Sequence, residues 1–287
     1  RTDYSYDQGF GDITSYQVQG ASEPAAEFVY DAFGRLTESK RGSDEEVYSY
    51  DGLDRRDTKQ AGGKTFDLSY VGLSESLSQE QQFDGDERRS YDYNSMMERL
   101  GTARRTSPTQ TAPYRAYSTD AVGSVEGLED ANGEIIGQRY AYDPYGAQLS
   151  AESGLSGDAQ ANPFRFQGHY YDPGQQTYDM RARAYLPEVG RFLQEDHFEE
   201  AGGEFLLEAD PLTQDRYAFL GGNPVSFVEF DGHVAGTSDH RSGTVQTVGG
   251  NVINRERGRT VAGPQRAPGW AAPALPAGRT RGDHPLW

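Results

Sequence analysis

The sequence predicts an all-β fold, a strip of antiparallel hairpins, and three observations predict it. First, the chain of 287 residues is only 34% hydrophobic, with a mean hydropathy of -0.82, yet it holds 19 Tyr and 13 Phe. Disordered chains are poor in aromatics, and Tyr interleaved with 35 Gly and many Asp suits short strands joined by tight turns. Second, the chain repeats itself. Tyr6-Asp7-Gln8-Gly9-Phe10-Gly11 is echoed at Tyr30-Asp31-Ala32-Phe33-Gly34-Arg35-Leu36-Thr37, at Tyr50-Asp51-Gly52-Leu53-Asp54-Arg55, and at Tyr142-Asp143-Pro144-Tyr145-Gly146. Third, Gly123 to Tyr142 carries Asn132-Gly133, a strong hairpin signal, between alternating segments.

In chain order, each repeat unit reads as strand, Asp-Gly turn, strand. The Tyr ends one strand, the Asp bonds the turn backbone, and the Gly accepts a positive φ. The first three units start 24 and 20 residues apart, and such stacked units bury their faces on their neighbours. Ser95 to Arg105 is the best short helical candidate. Leu149 to Ala161, rich in Ser, Gly and Ala, reads as an exposed loop. Asn162 to Asp196 concentrates Arg, aromatic and Asp residues, and a second acidic cluster follows at Glu229-Phe230-Asp231-Gly232.

Composition changes near Gly232. Every Tyr and Phe precedes it, whereas both Trp (Trp270 and Trp287) and five of the Pro follow it. From Val234 the chain has seven Arg and three acidic residues, against 20 basic and 42 acidic residues before it. The expected domains are therefore 1–146 (repeats), 147–233 (a core segment) and 234–287 (a variable tail, partly disordered and most so from Gly263). A net charge of -18 argues against nucleic acid or anionic membrane as partner. No apolar run approaches the roughly 20 residues of a membrane helix. The absence of Cys excludes disulfides and thiol nucleophiles. Because Arg1 opens inside a repeat, the sequence reads as a fragment or processed piece.

These residues resemble the C-terminal end of an Rhs (YD-repeat) protein with its repeat-associated core. The unit at Tyr30 carries the resemblance, as do Thr119-Asp120-Ala121-Val122-Gly123, Asn162-Pro163-Phe164-Arg165-Phe166, Tyr170-Tyr171-Asp172, Arg181-Ala182-Arg183, Gly190-Arg191-Phe192-Leu193, Asp210-Pro211-Leu212-Thr213 and Asn223-Pro224-Val225. The resemblance implies a β-strip spiralling into a hollow shell, a core that plugs one end, and an enclosed C-terminal segment, often a toxin. It also implies self-cleavage after an Asp-Pro-x-Gly motif by two acidic residues and an Arg. Arg183 matches the family Arg, Asp196 its first Asp, and Glu229 the place of the second, with the expected cut between His233 and Val234. Asp231 is the alternative carboxylate. Glu229 and Phe230 stand where the family has Asp and Pro, and Ala184 and Leu186 replace its usual Tyr and Asp, which would loosen packing.

The chemistry fits carboxylates. One ionised group activates water, a protonated partner polarises the carbonyl, and close carboxylates share a proton because both cannot comfortably ionise. The bland alternative is a structural Arg183–Asp196 ion pair. The implied function is an encapsulation module of a secreted or cell-surface polymorphic toxin. Its partners would be its own C-terminal segment, upstream repeats, and a secretion apparatus or cell-surface receptor. The other reading is a wall-associated adhesion or carbohydrate-binding protein. No cofactor is expected. His233, Asp239 and His240 make a weak metal candidate, and Asp84-Gly85-Asp86-Glu87 reads as an exposed turn rather than a calcium loop. His240 to Asn251 weakly resembles the end of a CHAP-type amidase domain, without its catalytic Cys.

Overall fold

The computed structural model describes residues 1–149, 154, 155, 157–196, 215–225 and 227–233, together with the backbone of four strands between 235 and 262. Twelve strands form a single antiparallel meander, each bonded to its neighbours in chain order. They are β1 (Thr2–Tyr6), β2 (Ile13–Val18), β3 (Ala26–Tyr30), β4 (Leu36–Arg41), β5 (Asp44–Tyr50), β6 (Arg56–Ala61), β7 (Lys64–Tyr70), β8 (Leu77–Gln82), β9 (Arg88–Tyr93), β10 (Arg99–Arg105), β11 (Tyr114–Thr119) and β12 (Val125–Glu129). A four-stranded sheet follows: β13 (Tyr170–Asp172), β14 (Thr177–Asp179), β15 (Ala184–Leu186) and β16 (Arg191–Phe192). A third sheet joins β17 (Val228–Glu229) to β18 (Ala235–Ser238), β19 (Thr244–Thr247), β20 (Val252–Asn254) and β21 (Arg259–Ala262).

The repeat is a turn with a fixed wiring. In the turn after β3, the Asp31 amide donates to the Arg35 carbonyl at 3.0 Å, and Asp31 Oδ1 accepts from the amides of Phe33 and Arg35. The same wiring recurs at Asp51, Asn94, Asp120, Asp130 and Asp143. The pairing register slips at Tyr6, Tyr30, Tyr50 and Tyr70, one bulge per repeat. A bulge bends its strand and increases the local right-handed twist, so a strip bulged at every repeat curves steadily.

The Tyr of each unit does more than end a strand. Tyr30 donates its hydroxyl to the Ile13 carbonyl, Tyr50 to Leu36, Tyr70 to Arg56, Tyr93 to Leu77 and Tyr142 to Val125, all at 2.7–2.8 Å. Each acceptor lies at or next to the first residue of a strand leaving the preceding turn, so the hydroxyls tie turn to turn. Arg35 and Arg55 then stack over the next Tyr, 4.8 Å from Tyr50 and 4.5 Å from Tyr70.

One face of the strip is buried, as the alternation of β3 (Ala26 and Phe28 in, Glu27 and Val29 out) requires. The core segment packs on that face. Ala184, Leu186 and Leu193 join Ile13, Tyr16, Phe28, Leu36 and Tyr48, and Phe164 joins Phe66, Leu68, Leu77, Tyr91, Val125 and Leu128. Ala184 and Leu186 are thus both buried between plug and strip. A buried charge cluster fastens the same contact. Asp172 meets Lys59 at 2.5 Å and Arg56 at 2.8 Å, Arg56 meets Asp179 at 3.0 Å, and Lys59 meets Glu46 at 3.1 Å.

Four expectations are corrected. Ser95 to Arg105 is no helix: Ser95 to Glu98 lie in a repeat turn, with Met97 at φ 61 in the position held by Gly34, Gly123, Gly133 and Gly146 in other units and by Asp54, also at φ 61, in the Asp51 unit, and β10 follows. Met, Glu, Arg and Leu favour helix weakly, and the turn wiring of Asn94 overrides that preference. The hairpin at Asn132-Gly133 turns through the five-residue Asp130–Glu134 wiring, and its return is a single bridge, Glu129 to Ile135, rather than a strand. Leu149 to Ala161 is not simply an exposed loop. Leu155 and Ala159 are buried, α1 covers Gly157–Ala161, and Tyr140 donates to the Ala159 carbonyl. Asp84, Gly85 and Asp86 form the expected exposed turn, but Glu87 is buried as the common partner of Lys64, Arg89 and Arg104, whose charges and hydrogen bonds outweigh its desolvation and hold its carboxyl down to about 2. The tail contributes β18 to β21, while the expected disorder from Gly263, as well as Asp239, His240 and Asn251, lies outside the described residues.

Candidate functional site

The predicted site residues meet where the plug hands the chain on to β18. Arg183 lies between β14 and β15, Asp196 just beyond β16, and Glu229 at the end of β17. The Arg183 guanidinium is 5% exposed. Its Nε donates to the Gly232 carbonyl, Nη1 donates to the Arg216 carbonyl at 2.9 Å, and Nη2 pairs with Asp196 at 2.9 Å. The group stacks 3.7 Å from the Phe192 ring centroid. Burial pulls the Arg183 pKa down, opposed by the charges of Asp196, Glu229 and Asp231. Asp196 also meets His233 Nδ1 at 2.9 Å.

Glu229 is buried and turned back on its own loop. Its Oε1 accepts from the amides of Phe230 and Gly232, each at 3.2 Å. The longer side chain allows this, and the Phe230 bond needs an N–H that Pro lacks. Burial, offset by Arg183 and reinforced by Asp231, raises the Glu229 pKa to about 7. The carboxyl therefore exchanges its proton near neutrality, as acid–base chemistry requires. Asp231 accepts the His233 amide at 3.1 Å, and its carbonyl accepts the Ala182 amide. Gly232 is required here: at φ +88, a Cβ would sit 2.6 Å from the Met180 carbonyl and 2.9 Å from the Arg183 nitrogen. Thus Arg183, Asp196, Glu229, Asp231 and His233 form one cluster, while Val234 lies outside the described residues.

Two residues escaped sequence reading. Gln167 Oε1 accepts the Glu229 amide at 2.9 Å, and His169 Nε2 lies 3.2 Å from the Glu229 carbonyl. Burial and Arg181 lower the His169 pKa to about 3, so the ring is neutral and donates from Nε2. Gln167 stands at φ 50, ψ 24, a left-handed conformation uncommon for a side-chain-bearing residue. No local signal announces these contacts, which span some 60 residues of chain.

A bulged hairpin strip, wired by Tyr-Asp turns and filled by a small β-sheet plug, defines the class of YD-repeat shell proteins. The chain belongs to the Teneurin YD-shell family, whose profile matches residues 2–225. Among curated relatives, it is 30% identical over 224 residues to the tRNA nuclease WapA of Bacillus subtilis, covering 76% of this chain and 9% of that protein. It is 27% identical over 253 residues to the double-stranded DNA deaminase toxin A of Burkholderia cenocepacia, covering 79% and 16%. A stretch of 103 residues is 32% identical to the toxin protein Tse5 of Pseudomonas aeruginosa, covering 34% and 7%. The chain thus spans about a tenth of the first of these relatives. The fold is similar to that in a TcdB2-TccC3-Cdc42 crystal structure, with TM-score 0.55 and 18% identity over 81% of this chain and 13% of that one. It is likewise similar to the Photorhabdus luminescens Tc holotoxin pore, with TM-score 0.53 and 18% identity over 80% and 13%.

Proposed function

We propose that this chain is wall and plug of an encapsulating shell in a secreted, toxin-delivering protein of the Rhs type, and that the polypeptide after His233 is its cargo. The observation that carries the reading is the hold of Arg183 on the Gly232 carbonyl and Asp196 together, at the point where plug becomes tail. Relatives named for nuclease and deaminase activities match this chain in sequence over 76% and 79% of its length, which supports a common carrier for different cargoes. The adhesion alternative has no observation of its own in its favour.

The finer reading is self-cleavage after His233. Asp196 would take a proton from water, the hydroxide would add to the His233 carbonyl carbon, and protonated Glu229 would give its proton to the departing Val234 nitrogen. Arg183 would hold the carbonyl side in place. The bonds from Phe230 and Gly232 keep Glu229 in its own turn, and a displacement near 1 Å can cost on the order of 10²-fold in rate. We infer that cleavage in this chain is slow, and that Glu229→Asp with Phe230→Pro accelerates it. Intact mass over time tests this. The parent stays mainly at 31.7 kDa while the double variant splits after His233, and Asp196→Asn blocks the split. A double variant that stays whole, or splits equally without Asp196, overturns the assignment.

A further inference from the structure

Among the described residues β17 is an edge strand that pairs with β18, Glu229 opposite Ala235. In a strand, one residue's N–H and C=O point to the same side, and at an edge they ordinarily meet water. Both main-chain groups of Glu229 instead meet plug side chains. Its amide donates to Gln167 Oε1 at 2.9 Å, and its carbonyl accepts from His169 Nε2 at 3.2 Å. Gln167 and His169 are both buried. Two side chains thus complete the strand edge at one residue, the residue whose carboxyl belongs to the site.

This clamp is anchored in the strip. The Gln167 amide donates to Ser124 Oγ at 3.1 Å, directly before β12, and Arg99 of β10 donates to the Gly168 carbonyl at 2.9 Å. The turn is closed by the His169 amide on the Phe166 carbonyl and the Arg165 amide on the His169 carbonyl, both at 3.0 Å. Gln167 carries two costs within it. Its backbone is left-handed at φ 50, and its Nε2 is buried with no hydrogen-bond partner. Gly would take that backbone without strain, and a buried unpaired donor is costly. Such costs concentrate where local geometry serves a site.

We propose that Gln167 and His169 are positioning residues for self-cleavage: they fix the main chain of residue 229 against the strip, and so fix where its carboxyl stands relative to Arg183. The role rests on the self-cleavage reading, and it ties the reaction to the assembled plug, because the clamp forms only when the turn at 165–169 is seated on β10 and β12. Neither side chain exchanges a proton in the step. The carboxyl is faced by Arg183, which favours its ionised form, and by Asp231 of its own turn, which disfavours it. Asp196 lies across Arg183, and the His169 ring, kept neutral by burial and Arg181, bonds the Glu229 carbonyl. Releasing the clamp would let the carboxyl move toward water, which favours ionisation. Because this carboxyl must hold a proton to give it to the Val234 nitrogen, cleavage should then fall off at lower pH.

Intact mass over time, on the whole chain carrying Glu229→Asp and Phe230→Pro and from about pH 4 to 9, tests the proposal. With Gln167 and His169 unchanged, this background should split after His233. Gln167→Met and His169→Leu keep bulk but remove the polar atoms. Each should slow the split at least tenfold, since a displacement near 1 Å can cost on the order of 10²-fold, and each should move the alkaline limb of the pH–rate profile to lower pH. His169→Gln, whose Nε2 reaches the same carbonyl, should recover most of the rate and restore the limb. Tyr70→Phe, which weakens a distant turn, should lower Tm without slowing the split. A background that stays whole overturns cleavage and this role together. A background that splits, with Gln167→Met and His169→Leu close to it in rate, overturns the role alone. So does a loss of rate that only tracks Tm, with the pH limb unmoved and His169→Gln no better than His169→Leu.

Discussion

Replacing Asp172 by Asn should break the fastening between strip and plug. The carboxylate is fully buried and accepts from Lys59 at 2.5 Å, Arg56 at 2.8 Å and Tyr48 at 3.3 Å. Asn removes the charge and presents an amide donor to two cations. Leaving a buried ion without its partner costs about 3–5 kcal/mol. Here Arg56 keeps Asp179 and Lys59 keeps Glu46, which sets the expectation at the low end, about 3 kcal/mol. For a chain of this size, that is a Tm fall of roughly 6–12 °C. Against the penalty of burial, Lys59 and Arg56 hold the Asp172 pKa below its ordinary value. A depressed carboxylate adds stability above its unfolded pKa and loses it as pH falls through the folded one. The gap between parent and variant should therefore be full at pH 7 and close in acid below about pH 4. Thermal unfolding followed by circular dichroism reads both quantities. Asp54→Asn, which breaks an exposed pair with Arg35, is the control and should cost under about 0.5 kcal/mol. A loss at Asp172 no larger than the control's would refute the idea that this cluster fastens the plug.

Three further outcomes follow from the same contacts. Tyr50→Phe and Tyr70→Phe each delete a hydroxyl bond to a strand-start carbonyl and should cost about 1–2 kcal/mol apiece; chemical denaturation of the singles and the double checks whether the losses add. Gly232→Ala forces a Cβ against the Met180 carbonyl at positive φ and should cost at least about 1–2 kcal/mol, with loss of the amide protection of Gly232 as the local readout. Glu229→Gln should stabilise the chain most at high pH. The folded pKa of about 7 lies above the ordinary Glu value of 4.5, so the parent loses stability as pH rises through that window, by on the order of 2–3 kcal/mol. Parallel melts at pH 5 and pH 8 measure the difference.

The strip was legible because its information is local. Tyr-Asp-x-x-Gly sets the turn, its bulge and its φ within five residues, and the pattern survives at Asp51 and Asn94, where Asp54 and Met97 replace the Gly. The misreading of Ser95 to Arg105 came from weighing side-chain propensity above that turn. Arg183, Asp196 and Glu229 could be named from motif order alone, and the structure places them in one cluster. Their mode of engagement could not be read. That Glu229 wraps back onto the Phe230 amide follows from an extra methylene and a missing Pro acting together. The contacts of Gln167 and His169 with Glu229, and of Asp172 with Lys59, join positions some 60 to 113 residues apart, and no local pattern encodes such pairings.

In the proposed function the plug holds the segment beyond His233 after the chain is cut. In the structure β18 pairs with β17 on the far side of the expected cut, Val228 with Gly236 and Glu229 with Ala235. The most direct measurement is size exclusion of the cleaved Glu229→Asp, Phe230→Pro variant, with mass identification of each fraction. Co-elution of the C-terminal fragment with the body at neutral pH is the predicted result. A fragment that elutes alone under the same native conditions would contradict the account.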